Sequence, residues 1–201
     1  TGIDVVTEAA GGVDVAQRVA RGEPFDVVVL AGNAIDKLMA EGRLLAGSRV
    51  DIVRSGVAIA VRRGAARPDV SSEAAVRGAV SRAITISYST GPSGVYLEKL
   101  FERWGLLESL RKRIVVPPPG VPVGTLVADG RAALGFQQLS ELLNLEGVDV
   151  LGPLPAEIQA MTVFAGAVTS ACTNPVQARA LLDFMARPAT AALKQQYGLE
   201  A

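Results

Sequence analysis

Ser87, Ser89, Thr90 and Ser93 place four hydroxyls within seven residues, interleaved with Gly91 and Gly94. The run Ile86-Ser87-Tyr88-Ser89-Thr90-Gly91-Pro92-Ser93-Gly94-Val95-Tyr96 reads as the end of a buried strand, a loop, and the start of a helix running to about Trp104. Hydroxyls donate hydrogen bonds, and glycines let a backbone approach a guest closely. A helix start adds unpaired N–H groups and the positive end of the helix dipole. Together they form a seat for a small anion, an oxyanion or a carboxylate. The same residue types also build an ordinary turn with a serine cap. A second small-residue loop, Thr7-Glu8-Ala9-Ala10-Gly11-Gly12, again joins a strand to a helix. Two such loops imply two surfaces facing one guest, which favours the anion seat over the plain turn.

Two further side chains are candidates. Arg54 follows a strand and precedes Ser55-Gly56; it could clamp a carboxylate, or it makes a surface or interlobe ion pair. Tyr96 lies one turn inside the helix, where it faces the guest or packs with Leu97 and Leu100 while its hydroxyl finds a partner. Cys172 is the only cysteine, and without a histidine it reads as a packing residue. Arg111-Lys112-Arg113 reads as a solvated helix end.

Composition narrows the chemistry. The chain has no histidine, so a Ser-His-Asp or Cys-His nucleophile system is excluded and a zinc site is improbable. Twenty basic and twenty acidic residues cancel, leaving no basic field for a nucleic-acid backbone. One cysteine permits no intrachain disulfide. No apolar run reaches the length of a membrane span. Hydrophobic residues make up 49% and charged residues 20% of the 201, so the chain can fill a core.

The elements that position these residues alternate. Strands are predicted at Ile3–Thr7, Phe25–Leu30, Val50–Val53, Val57–Val61, Ala83–Ser87, Ile114–Val116, Ala132–Phe136, Val148–Leu151 and Thr162–Val168. Helices are predicted at Asp14–Arg21, Ala34–Glu41, Ser72–Ser81, Ser93–Trp104, Leu106–Lys112, Gly124–Asp129, Asn174–Ala186 and from Pro188 to near Gly198, with a helical turn at Leu139–Leu143. Ser55-Gly56 reads as an interruption, Arg63–Pro68 as a loop, and Pro117–Gly120 as a stiff connector. This order predicts an α/β fold with largely parallel sheets flanked by helices, and ligand loops at the carboxyl ends of strands.

The stretches Gly22–Val27, Gly47–Val50, Val57–Arg62, Ser93–Tyr96, Val127–Phe136 and Ala180–Gly198, in this order and spacing, resemble the molybdate-binding type of periplasmic solute-binding protein. Gly135–Glu141 and Gly152–Pro155 resemble a less characterised branch of it. The resemblance implies the two-lobed type 2 periplasmic binding fold. Residues 1–62 and 160–201 would form one lobe and 63–159 the other, with strands crossing near Val57–Val61 and Thr162–Ala167. It implies an anion held in the cleft by hydroxyls and backbone N–H groups, with no metal and no cofactor. It further implies a periplasmic location and delivery to the permease of an ABC-type membrane transporter. The implied site comprises Gly11, Gly12, Ser89, Thr90, Ser93, Gly94, Tyr96, Gln137, Gln138 and Arg54.

Two departures from the family pattern stand out. The chain starts where the family enters its second strand, without the first strand and helix, about 25 residues with their loops. The native chain is expected to carry further N-terminal residues, and a chain of residues 1–201 alone is expected to form a homodimer, borrow an element or aggregate. Gln138 stands where molybdate binders carry a tyrosine, and Ala10-Gly11-Gly12 where serines are common. Gln137 and Gln138 offer donors and acceptors, which suits a carboxylate better than molybdate, or they cap the following helix. Some relatives resemble isomerases of aconitate-like tricarboxylates, for which Glu8, Glu141 or Tyr96 would serve as base. A ligand-sensing domain of a transcription regulator shares the fold, but no basic helix-turn-helix segment is present.

Overall fold

The computed structural model describes residues 2, 4–118 and 120–201. In chain order the elements begin with α1 (Gly12–Ala20), β1 (Val27–Ala31), α2 (Gly32–Ala40), β2 (Val50–Arg62), α3 (Glu73–Arg82) and β3 (Ile86–Tyr88). There follow α4 (Pro92–Arg103), α5 (Leu107–Leu110), α6 (Val123–Ala128), β4 (Leu134–Gln138), α7 (Leu139–Leu142) and β5 (Val148–Pro153). The chain closes with β6 (Met161–Val168), α8 (Pro175–Ala186) and α9 (Ala191–Gln196). It divides into two compact units, one of Thr1–Arg54 with Val163–Ala201, the other of Ser55–Thr162. The divisions fall inside β2 and β6.

In the first unit β1 pairs antiparallel with β6, Val29 facing Gly166. Val28 and Leu30 point into a core with Ile35, Leu38, Leu44, Ala165 and Ala167. Val29 turns the other way and stays 40% exposed. Gly166 is required where α8 crosses the strand, because a Cβ there would lie 2.3 Å from Leu182. α8 starts as its sequence dictates: Asn174 accepts from the Gln177 N–H at 3.3 Å and Pro175 occupies the first turn.

In the second unit β4 lies between β3 and β2, parallel to β3 and antiparallel to β2, and β5 pairs antiparallel with β2. One face of this sheet carries Ile59, Ile86, Tyr88, Leu134 and Phe136 against Leu97, Leu100, Phe101 and Trp104 around α4. The other carries Ala58 and Ala60 against Val123, Leu126 and Val127 of α6. Strand alternation thus buries both faces, each under its own helix. Ser72 caps α3 by accepting from the Ala75 N–H at 3.2 Å.

The α/β class of the sequence reading holds, but four local expectations do not. Pairing is mixed rather than largely parallel, because β2 runs against both neighbours it has in the second unit. Val50–Val53 and Val57–Val61 form one continuous strand: Ser55 is fully buried and the extended Gly56 takes Gln159 and Met161 side chains 3.0 Å from where a Cβ would sit. The strand expected at Ile3–Thr7 is absent over residues 4–7, where Val6 is 95% exposed and no neighbour among the described residues supplies a ladder; Ile3 lies outside the described residues, as does Pro119 of the connector. Ile114 keeps only a single bridge to Ile86.

Candidate functional site

The hydroxyl loop takes its shape from the strand-to-helix connection between β3 and α4. Gly91 is the N-cap of α4, with extended backbone and no side-chain cap, and Pro92 opens the first turn. The serine-capped turn is thus not what forms. The Ser89 and Ser93 hydroxyls instead meet at 3.0 Å, and the Gly91 N–H points at Ser89 Oγ from 3.4 Å. Ser93 is 3% exposed while Thr90 is exposed. Gly94 is indispensable here, since a Cβ would fall 1.6 Å from the Ser89 carbonyl oxygen. The loop therefore folds back onto the first turn of a twelve-residue helix, and the N–H groups of that turn carry no side-chain cap.

Pleating sorts the remaining polar residues. Tyr88 pairs with Phe136, and both pack on Phe101 of α4. Gln138, two residues beyond Phe136, shares that face and reaches the same strand end at which α4 begins. It is 3% exposed; its Nε2 donates to Thr162 Oγ1 at 2.8 Å. Its Oε1 is buried and has no hydrogen-bond partner among the described residues. Ser55 and Ser140 meet at 3.2 Å nearby, Ser55 lying two residues before Val57, the β2 partner of Gln138.

Ser87 belongs to the opposite face. It pairs with Gly135, whose missing Cβ leaves room for Val127 and Val123 of α6. Ser87 Oγ is also buried without a partner among the described residues. Gln137 shares this face and is used up there: its Oε1 accepts from the Gly124 N–H at 3.2 Å and its Nε2 donates to Glu141. Gln137 thus meets the start of the preceding helix α6, and neither glutamine side chain caps the following helix α7, while Gln138 keeps a free acceptor.

Burial pushes the Glu141 carboxyl above the usual carboxylate range, against the opposing hydrogen bond from Gln137, although the residue as a whole is solvent-exposed. A raised carboxyl binds its proton more tightly in the folded chain. Its stabilising contribution is complete below its ordinary value of 4.5 and is lost as pH rises through the folded-state pKa. Wild type should therefore lose melting temperature relative to Glu141→Gln as pH rises out of the acid range. Melting curves of both proteins against pH check this, and parallel profiles would contradict it.

The other candidates are engaged locally. Tyr96 donates its hydroxyl to the Ile158 carbonyl at 2.7 Å, and burial raises its pKa. The Tyr88 hydroxyl donates to Glu98 at 3.1 Å. Arg54, in the first unit, makes an ion pair with Glu200 at 3.5 Å beside a two-way backbone bridge to the same residue. That is the surface pair, and at this exposure it contributes little to stability. Gly11 and Gly12 open α1, with Gly11 as an N-cap and no side-chain cap. Glu8 pairs with Arg18 at 2.8 Å. Burial pushes the Cys172 thiol up, and the residue packs against the cluster of Ile52, Val168, Ala178 and Leu182. Arg113 donates to the Ser81 and Ala83 carbonyls at 2.9 and 2.8 Å, so one end of the basic run is structural. Sequence reading missed Thr162 and the Ser55–Ser140 pair. Thr162 and Ser55 are single hydroxyls within strands, and Ser140 sits in the short helix after Gln138.

The fold is that of the periplasmic binding proteins. The chain belongs to the bacterial extracellular solute-binding protein family, whose model matches residues 1–200. It is 43% identical over 189 residues to an aconitate isomerase of a Pseudomonas species, covering 92% of this chain and 71% of that protein. It is 27% identical over 208 residues to a molybdate-binding protein of Azotobacter vinelandii, covering 98% of this chain and 79% of that protein. Among solved structures, the periplasmic molybdate-binding protein of Azotobacter vinelandii superposes with a TM-score of 0.80 at 23% identity, over 100% of this chain and 89% of that one.

Proposed function

We propose that this protein is a periplasmic binding protein for a small organic carboxylate, which it delivers to the permease of an ABC-type transporter. The observation that carries the reading is the start of α4. Two serine hydroxyls lie 3.0 Å apart over an uncapped first turn, closed by a glycine that admits no side chain. Such a turn neutralises anionic charge with dipoles and N–H groups rather than with a counter-ion. Ser89, Thr90, Ser93 and Gly94 hold one end of the anion, and Gln138 reads another part of it. An organic acid is favoured over molybdate because its carbon skeleton can carry a hydrogen-bond donor for the open acceptor of Gln138, which molybdate lacks. A thermal-shift panel of oxyanions and small di- and tricarboxylates tests the reading. Saturable stabilisation by a carboxylate is expected, and a flat panel would overturn it.

The 43% identity to an aconitate isomerase favours a second reading, an isomerase acting on an aconitate-like tricarboxylate. Proton abstraction then needs a base without histidine. Burial raises the pKa of Glu141, which brings a carboxyl toward the working range of a general base. Incubation with cis- and trans-aconitate followed by chromatography separates the readings: interconversion supports the isomerase, and binding without conversion supports the transporter component.

A further inference from the structure

The anion seat at the start of α4 accounts for the donors of this site but not for its one open acceptor. Gln138 is 3% exposed, and its Oε1 has no hydrogen-bond partner among the described residues. Its Nε2 is already committed to Thr162 at 2.8 Å. The residue stands at the strand end where α4 begins, on the face that Tyr88, Phe136 and Phe101 share. A buried carbonyl oxygen left without a donor is destabilising, and a guest that brings the donor removes the penalty. A fully ionised oxyanion or carboxylate brings none.

Taking the anion seat as given, we infer that the solute carries a hydroxyl beside its carboxylate, and that Gln138 Oε1 accepts its hydrogen bond. The solute class is then a hydroxy-acid, with the carboxylate on the Ser89–Ser93 turn and the hydroxyl on Gln138. The oxygen is closed to solvent, so side chains around it must part on binding. That opening breaks no hydrogen bond at Oε1, because none is made there. Gln138 is in this account the residue that sets specificity: it rejects analogues that lack the hydroxyl by leaving its oxygen unpaired. An amide turned the other way would present Nε2 instead and would favour a donor-free oxyanion.

The test uses two ligand pairs that differ by one hydroxyl, malate with succinate and citrate with tricarballylate, and adds molybdate. Titrations run at pH ~8, where every carboxyl is ionised and only the hydroxyl can donate. The hydroxylated member of at least one pair should bind about 10- to 100-fold more tightly than its partner. Gln138→Met should reduce that ratio to near one while circular dichroism stays native. Where Gln138→Met does not fold, Gln138→Glu, which keeps an acceptor oxygen in place, should preserve the ratio. Equal affinities within both pairs would overturn the hydroxyl assignment and leave the anion seat standing. Tight molybdate binding with weak carboxylate binding would overturn it in favour of the turned amide. No binding by any of the five would overturn the anion seat itself.

Discussion

Gly94→Ala should abolish solute binding and weaken the fold together. The added carbon would sit 1.6 Å from the Ser89 carbonyl oxygen and 2.8 Å from its carbon, both of them backbone atoms. A flexible side chain could swing away, but the loop backbone cannot without unmaking the Ser89–Ser93 contact and lifting the first turn of α4. Overpacking of this kind costs about 3 kcal/mol or more. For a chain of this size that lowers the melting temperature by roughly 6–12 °C. Affinity for the solute should fall at least about 100-fold, because the hydroxyls and N–H groups no longer converge on one point. Differential scanning fluorimetry and titration calorimetry of the purified variant check both effects. A variant with native stability and native affinity would show that the loop does not close on Gly94 as described.

Phe101→Ala should be the most destabilising truncation in the second unit. Phe101 is fully buried and contacts three aromatic rings, with centroids 6.0 Å from Tyr88, 5.8 Å from Trp104 and 6.0 Å from Phe136. Removing it deletes a large buried side chain and leaves a cavity under α4, a change that costs about 3–5 kcal/mol. The edge-to-face pairs with Tyr88 and Phe136 add to that. Because the ring joins α4 to both strands that end at the site, affinity should fall as well as stability. Chemical denaturation gives the first quantity and titration the second. A loss below about 1 kcal/mol would mean that α4 is held chiefly by other contacts.

Most of what local chemistry writes into a sequence was legible. Asn174-Pro175 marks the start of α8, the Ser72-Glu73 step marks that of α3, and α4 begins one residue before the Ser93 that the residue types suggest. The hydroxyl loop could be picked out for the same reason: its residues are adjacent in the chain. What could not be read depends on partners far away. Ser55-Gly56 looks like a break, yet it passes through the middle of β2 because a side chain such as Gln159 fills the space that Gly56 leaves. Arg54 meets Glu200, and Tyr96 meets Ile158, across separations that no local pattern encodes. Face assignment was the subtler loss. Gln137 and Gln138 read as an equivalent pair, but neighbouring strand residues point to opposite faces, so one is consumed by α6 and Glu141 while the other keeps an open oxygen. The same alternation turns Ser87 away from Tyr88 and the α4 face. Sheet direction was misjudged because strand–helix alternation implies parallel neighbours only when successive strands stay in one sheet order, and β2 runs against β4 and β5.

The central claim is that a small carboxylate is held by the first turn of α4. Titration calorimetry of wild type and Ser93→Ala, with the best carboxylate from the thermal-shift panel, tests it most directly. Ser93 is buried and is not the helix cap, so its hydroxyl can be removed without unmaking α4. The expected result is one saturable site in wild type, weakened by about 1–3 kcal/mol in the variant, with the melting temperature of the free protein nearly unchanged. Undiminished affinity in Ser93→Ala, or a loss of stability equal to the loss of affinity, would contradict it.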